Sequence, residues 1–182
     1  MKNSSYEKAK SFECINDIAL KGEIVVYGST YMSNFPFYEF TNKNRLDAAI
    51  YNRSIPSLTI EEAVELLGPC VLGLNPSKIF LHLGEDEELN QNSCPKYKKI
   101  IEQLKSALPN SSIYIIEIRG ETETVKSFNK EIEAMCGEQS VVFIPLDRNK
   151  SGNFKDLFRQ LCHYFRSRPI SFCDAFFLTE VF

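Results

Sequence analysis

The apolar, β-branched run Ile24-Val25-Val26-Tyr27 stops at Gly28 and is followed at once by two hydroxyl side chains, Ser29 and Thr30. A glycine after such a run marks a strand turning toward a helix, and in open α/β folds ligands bind at the carboxyl ends of the strands. A hydroxyl there can attack an acyl carbonyl if a base takes its proton and donors meet the charge that develops on the carbonyl oxygen. The chain has two histidines, His82 and His163. His82 lies inside an apolar run and reads as a hydrogen-bonded core residue, whereas His163 is open to a catalytic or a structural role. Cys162 next to His163 suggests a thiol nucleophile, but adjacent positions on a helix or strand point apart. The carboxylates of Glu85-Asp86-Glu87-Glu88 read either as oxygen ligands for a hard cation or as the solvated acidic start of a helix. Tyr31, Phe35, Phe37, Tyr38 and Phe40 follow the turn closely, as pocket wall or as core.

Composition excludes several classes of function. With 21 basic and 24 acidic residues the charge is nearly balanced, and no dense run of Lys and Arg offers a face to nucleic acid. No stretch approaches the roughly 20 apolar residues of a membrane span, and the first residues lack the apolar centre of a signal peptide. The expected location is the cytoplasm. The six cysteines have no CxxC spacing, which points to reduced thiols rather than a zinc site. Gly28-Ser29-Thr30 has neither the repeated glycines nor the lysine of a phosphate-binding loop, so neither a cofactor nor a metal is expected. The sequence leaves the oligomeric state open.

The elements that must position these residues follow from periodicity. Tyr6, Ala9, Phe12, Ile15 and Ile18 recur at helical spacing before Lys21-Gly22. Strands are predicted over 24–27, 47–52, 78–83, 112–118 and 141–144. Between them, Thr59-Ile60-Glu61-Glu62 reads as a capped helix start, Tyr97, Ile100, Ile101, Leu104 and Leu108 form one helical face, and a further helix covers 125–136. A closing helix, or a loop and helix, over 157–165 carries His163. Strands alternating with helices imply right-handed crossovers and a parallel sheet covered on both faces. The expected architecture is a single domain over 1–182, a three-layer α/β/α sandwich on a parallel five-stranded flavodoxin-like sheet. That topology by itself also hosts nucleotide and flavin binders.

Four segments then line up with one family. The run IVVYGST resembles the first block of the SGNH (GDSL-type) hydrolases, where a strand ends in Gly-Asp-Ser or Gly-Ser-Ser. YNRSIPSLT resembles the second block, NPSKIFLHLGEDE resembles the third with its Gly-x-Asn-Asp, and QLCHYF is similar to the final Asp-x-x-His. The resemblance is to the small acetylhydrolase-like members.

It implies a hydroxyl nucleophile at Thr30, or at Ser29 if the turn shifts, with His163 as base. It also implies an oxyanion hole built from the nucleophile's own N–H, the Ser57 N–H, and the side chain at Asp86 beyond Gly84. Nearly every member of the set departs from the family pattern. The β-methyl of Thr30 restricts χ1 and crowds attack. Asp86 stands in place of an asparagine, and a carboxylate cannot donate to an oxyanion. Gln160 stands where an aspartate orients the histidine, with Asp156 and Asp174 as possible substitutes. The implied function is hydrolysis of small acyl esters such as acetyl esters, weak or altered; the alternative is a silent relative that binds a small molecule or a partner protein.

Overall fold

The computed structural model describes residues 2–44, 46, 48–147 and 152–166. Asp174 and Cys173 lie outside them, as does Asp47 at the start of the second predicted strand. The sheet contains β1 (Ile24–Gly28), β2 (Ile50–Asn52), β3 (Lys78–His82), β4 (Ser112–Ile116) and β5 (Val142–Ile144). All pairings are parallel and the order is β2-β1-β3-β4-β5. Crossover helices are what parallel strands require. They are α2 (Thr30–Ser33), α3 (Phe37–Asn44), α4 (Ile60–Glu65), α5 (Leu67–Cys70), α6 (Ser93–Ala107) and α7 (Glu123–Gln139), while α1 (Lys2–Asn16) precedes β1 and α8 (Phe154–Phe165) follows β5.

The strand period of two sorts the core into two layers. Val25, Tyr27, Ile79, Leu81, Ile113 and Ile115 face α1 and α4–α7, while Ile24, Val26, Phe80, Ile116 and Ile144 face α2, α3 and α8. Because β1 and β3 are covered on both faces, their sequences are continuous apolar runs rather than alternating ones.

Two helices differ from the sequence expectation. α1 buries Ser5, Ala9, Phe12 and Asn16 and leaves Ile15 at 43% exposure, and Ile18 lies beyond its end at 86%. Its inner stripe therefore runs one residue away from the most apolar positions, because Asn16 is needed inside. The Asn16 side chain donates to the Pro69 carbonyl at 2.7 Å and accepts from the Arg53 guanidinium at 3.2 Å. α7 continues past Gly137 to Gln139, and Ser140 supplies the left-handed stop at φ 56°.

α8 runs antiparallel to the strands, which fixes what its residues can reach. At its N-terminal side the Gly152 carbonyl accepts the Tyr31 hydroxyl at 2.7 Å. At its other end the Tyr164 and Arg166 carbonyls accept the Lys78 ammonium at 2.7 and 2.6 Å, and Lys78 begins β3. Leu157, Phe158, Leu161, Cys162 and Phe165 form its buried face. The aromatics after the turn pack against that face. Phe40 stacks on Phe158 at 4.8 Å, Phe37 meets Phe165 at 6.0 Å edge-on, and Phe35 and Tyr31 each lie 5.2 Å from Phe154. Tyr38 is 79% exposed, so this aromatic set is mainly core rather than pocket wall.

Candidate active site

Gly28 ends β1 opposite His82 at the end of β3. A Cβ on Gly28 would stand 2.7 Å from the His82 carbonyl oxygen, so only glycine lets the two strand ends approach this closely. The approach lets the Ser29 N–H bond that carbonyl at 3.1 Å. The chain then enters α2 at Thr30, leaving Ser29 fully buried and Thr30 partly open at the carboxyl edge of the sheet.

Thr30, Ser57 and Asp86 come together here. The Ser57 N–H donates to Thr30 Oγ1 at 2.9 Å, and Ser57 has φ 59°. Serine thus holds the left-handed backbone that glycine adopts without strain, and its N–H points at the turn. Gly84, at φ 107°, bends the chain after β3 so that the acidic segment returns toward the turn. Asp86 Oδ2 accepts the Thr30 N–H at 2.9 Å and also accepts the Ser29 hydroxyl. Burial pushes the Asp86 carboxyl up, but hydrogen bonds from the Ser29 and Thr30 hydroxyls and the Thr30 and Ser57 N–H groups outweigh it. The net result is a pKa held below the usual aspartate range.

The acidic segment is not a helix start. α6 begins only at Ser93, and residues 85–87 instead cap other elements. Glu85 accepts the Tyr31 N–H at 2.7 Å, Asp86 accepts that of Thr30, and Glu87 accepts that of Ile60, the first residue of α4, at 2.6 Å. Three successive carboxylates thus hold the starts of two helices, where negative charge is favoured. Among the described residues no group of three or more His, Cys, Asp or Glu side chains is arranged to hold a metal ion.

The structure does not bring His163 or Gln160 to the turn. His163 lies nine residues beyond the first residue of α8, roughly 14 Å along the axis at 1.5 Å per residue, toward the end that Lys78 anchors at the opposite edge of the sheet. It is exposed and lines an open groove with Ile144, Asp147, Arg159 and Gln160. Gln160 accepts the Asp147 N–H at 2.7 Å and donates to the Asp156 carbonyl at 3.1 Å, holding the loop after β5 rather than orienting an imidazole. Asp156 caps the start of α8 with Asn153, its N–H bonding Asn153 Oδ1 at 2.8 Å. Cys162 faces the core with its thiol pushed up by burial, while the neighbouring His163 faces out, so they form no thiolate pair.

His82 is the imidazole nearest the turn, and it sits in a pocket that sequence reasoning missed. It is 3% exposed, its ring lies 5.9 Å from that of Tyr31, and its Nδ1 is 3.5 Å from Glu85 Oε2. Burial pushes its pKa down to about 4. Burial likewise pushes Glu85 up to about 7; the Tyr31 N–H bond opposes this and the Asp86 charge adds to it. The available signal was strand register, since His82 pairs with Gly28 and Glu85 follows three residues later across a glycine turn.

No protein-family model matches the chain, and no curated protein matches it in sequence. Solved structures match it by shape. A candidate platelet activating factor from Streptococcus pneumoniae superposes with a TM-score of 0.77 at 15% identity, over 90% of this chain and 93% of that one. A GDSL-like lipase from Bacteroides thetaiotaomicron gives 0.65 at 14% identity, over 81% and 82% of the two chains. A psychrotrophic esterase from Pseudoalteromonas gives 0.62 at 13%, over 78% and 97%. With a five-stranded all-parallel sheet between helical layers and the same overall shape as these enzymes, this chain has the fold of the SGNH, or GDSL-type, hydrolases.

Proposed function

We propose that this chain is a catalytically silent relative of the SGNH acyl-ester hydrolases, one that uses the cleft at its strand ends to bind a small molecule or a partner protein. The observation that carries this reading is the placement of Asp86. Its carboxylate takes the Thr30 N–H at 2.9 Å and lies within reach of the Ser57 N–H, the two backbone donors that an oxyanion would need. An entering carbonyl would find those donors engaged and a negative charge beside them, and losing a single such donor costs roughly 10²- to 10³-fold in turnover. The nearest imidazole, His82, is buried on the Tyr31 side. The five described cysteines are all free thiols, which supports a reducing, cytoplasmic setting.

A second reading, weak or altered hydrolysis of small acyl esters such as acetyl esters through Thr30 or Ser29, has one observation in its favour. The Ser29 hydroxyl donates to Asp86, and a carboxylate can take a proton from an attacking hydroxyl. Its lowered pKa makes it a poor base for that step.

Hydrolysis of p-nitrophenyl acetate separates the two. If the chain is silent, wild type matches Thr30→Ala and Ser29→Ala, and Asp86→Asn raises the rate. If Asp86 serves as the base, wild type exceeds both hydroxyl variants and Asp86→Asn abolishes the difference.

A further inference from the structure

β2 is an edge strand, paired only with β1 among the described residues. The Ile24 N–H donates to the Ala49 carbonyl at 3.1 Å and the Arg53 N–H to that of Val26 at 2.8 Å. Residues of a parallel strand alternate in the side to which their N–H and C=O point. Ala49, Tyr51 and Arg53 therefore face β1, and Ile50 and Asn52 direct their backbone groups outward. No backbone hydrogen bond reaches those outward groups among the described residues. The strand, Ile-Tyr-Asn, has neither the proline nor the lysine that guard such edges.

An apolar patch lies beside this edge. Ile15 in the last turn of α1 and Ile18 and Leu20 after it are 43, 86 and 66% exposed. The Leu20 N–H donates to the Tyr51 hydroxyl at 2.9 Å, which holds the patch against β2. The three side chains expose roughly 400 Å², about half of the ~800 Å² that each partner of a stable dimer buries. An area of that size suits a short segment of this chain rather than a second copy.

Residues 167–182 supply such a segment. Nine of the sixteen are apolar, among them Phe172, Phe176, Phe177 and Phe182, a composition that needs cover from water. The run Phe176-Phe177-Leu178-Thr179-Glu180-Val181-Phe182 is rich in residues favoured in strands. The chain enters this segment from the sheet edge where the patch lies. The Arg166 carbonyl accepts the ammonium of Lys78 at 2.6 Å, Lys78 pairs with Ile24, and Ile24 pairs with Ile50. The open side of β2 is thus three strand spacings away, roughly 14 Å. Residues 167–175 can span up to about 30 Å.

Handedness chooses between the two edges of the sheet. Crossovers between parallel strands are right-handed in about 98% of cases, so the face that carries the helix sets the direction in which the next strand is laid down. α6 and α7 cover one face and carry the chain from β3 to β4 to β5; α2 and α3 cover the other and carry it from β1 out to β2. α8 lies on the face of α2 and α3, so a strand after it belongs on the β2 side. The free position on that side is the outer edge of β2. We propose that residues 176–182 pair there as a sixth parallel strand, taking the backbone groups of Ile50 and Asn52 and laying apolar side chains on Ile18 and Leu20. The patch is at the starts of the strands and the cleft is at their carboxyl ends, so this pairing stands whether or not the cleft is catalytic.

The test uses the full chain. Cys14 is exposed, whereas Cys70, Cys136 and Cys162 are buried. A short bismaleimide should link Cys14 to Cys173 within one chain, because the pairing brings Cys173 to the start of β2 beside the end of α1. Amide hydrogen exchange at Ile50 and Asn52 should be slowed at least about 100-fold. Of Leu178→Pro and Thr179→Pro, one removes an N–H that faces β2 and should restore fast exchange. Ile18→Asp, which places a charge on the patch, should lower the cross-link yield severalfold. The proposal is overturned by cross-links that join two chains, by Cys173 left unlinked, or by fast exchange at Ile50 and Asn52 in the wild type. It is equally overturned by protection that both proline variants leave unchanged, or by protection of 176–182 together with the outer amides of β5 instead of those of β2.

Discussion

Asp86 Oδ2 accepts the backbone N–H of Thr30 at 2.9 Å, so the carboxylate of one strand-end loop occupies the donor that opens the helix after another. Asp86 is exposed, and its charge is stabilised by local hydrogen bonds rather than by enclosure. The contact joins the ends of β1 and β3 at the place where Gly28 brings the strands together. It also removes a donor that acyl chemistry would need.

Replacing Asp86 therefore has two expected effects of opposite kind. Asp86→Asn restores a donor and removes a charge, so p-nitrophenyl acetate hydrolysis should rise, by no more than about 10²-fold because no base accompanies it. Asp86→Ala leaves the fully buried Ser29 hydroxyl without its acceptor, and stability in urea should fall by about 1–3 kcal/mol. An unchanged unfolding midpoint in Asp86→Ala would show that water replaces the carboxylate fully.

His163→Ala should change little. The side chain is exposed on the outer face of α8, and substitutions of that kind are usually within about 0.5 kcal/mol of wild type. Ester hydrolysis should be the same in the variant and wild type, with or without Asp86→Asn. Any His163-dependent rate in the Asp86→Asn background would mean that α8 moves far enough to bring this imidazole to the turn.

The contrast between Thr30 and His163 explains how far the sequence could be read. β1 and β3 are covered on both faces, so their apolar runs and closing glycines mark both the strands and the turn carrying Thr30. The Thr59 capping box is equally local, with the Glu62 N–H reaching the Thr59 hydroxyl at 3.2 Å. α2 and α3 were not legible, because they are held by Phe35, Phe37 and Phe40 packing on α8, contacts far away in sequence. Nor does the spacing of Gln160 and His163 say which end of a helix faces the strand ends. The capping of Tyr31 and Ile60 by Glu85 and Glu87 is nonlocal too, so an acidic run read alone resembles a helix start.

Ser57 is a direct test of backbone inheritance. A side chain at φ 59° costs roughly 1–2 kcal/mol relative to right-handed backbone, whereas glycine is free of that cost but loses more entropy on folding, about 0.5–1 kcal/mol. Ser57→Gly should therefore be neutral to about 1 kcal/mol stabilising in urea denaturation, with an unchanged slope. Ser57→Val should be destabilising, since a β-branched side chain tolerates this region poorly. A stabilising valine would mean that the loop does not hold this conformation in solution.

Glu85 and His82 should make opposing contributions to stability as pH changes. Glu85 is raised from 4.5 to about 7, so the folded protein keeps a proton that the unfolded chain has lost. Its contribution is present below pH 4.5 and is lost as pH rises through 7. His82 is lowered from 6.5 to about 4, so the unfolded chain takes up a proton that the folded protein refuses. Its contribution is present above pH 6.5 and is lost as pH falls through 4. Between about pH 4.5 and 6.5 the two slopes cancel. Relative to wild type, Glu85→Gln should gain stability as pH rises across that window, by up to about 1.4 kcal/mol per pH unit, because only His82 then titrates. His82→Gln should show the opposite slope, losing stability toward pH 7 as Glu85 ionises. Urea unfolding of the three proteins at half-unit pH steps measures both differences, and parallel curves for all three would show that neither group is buried in its ordinary solution state.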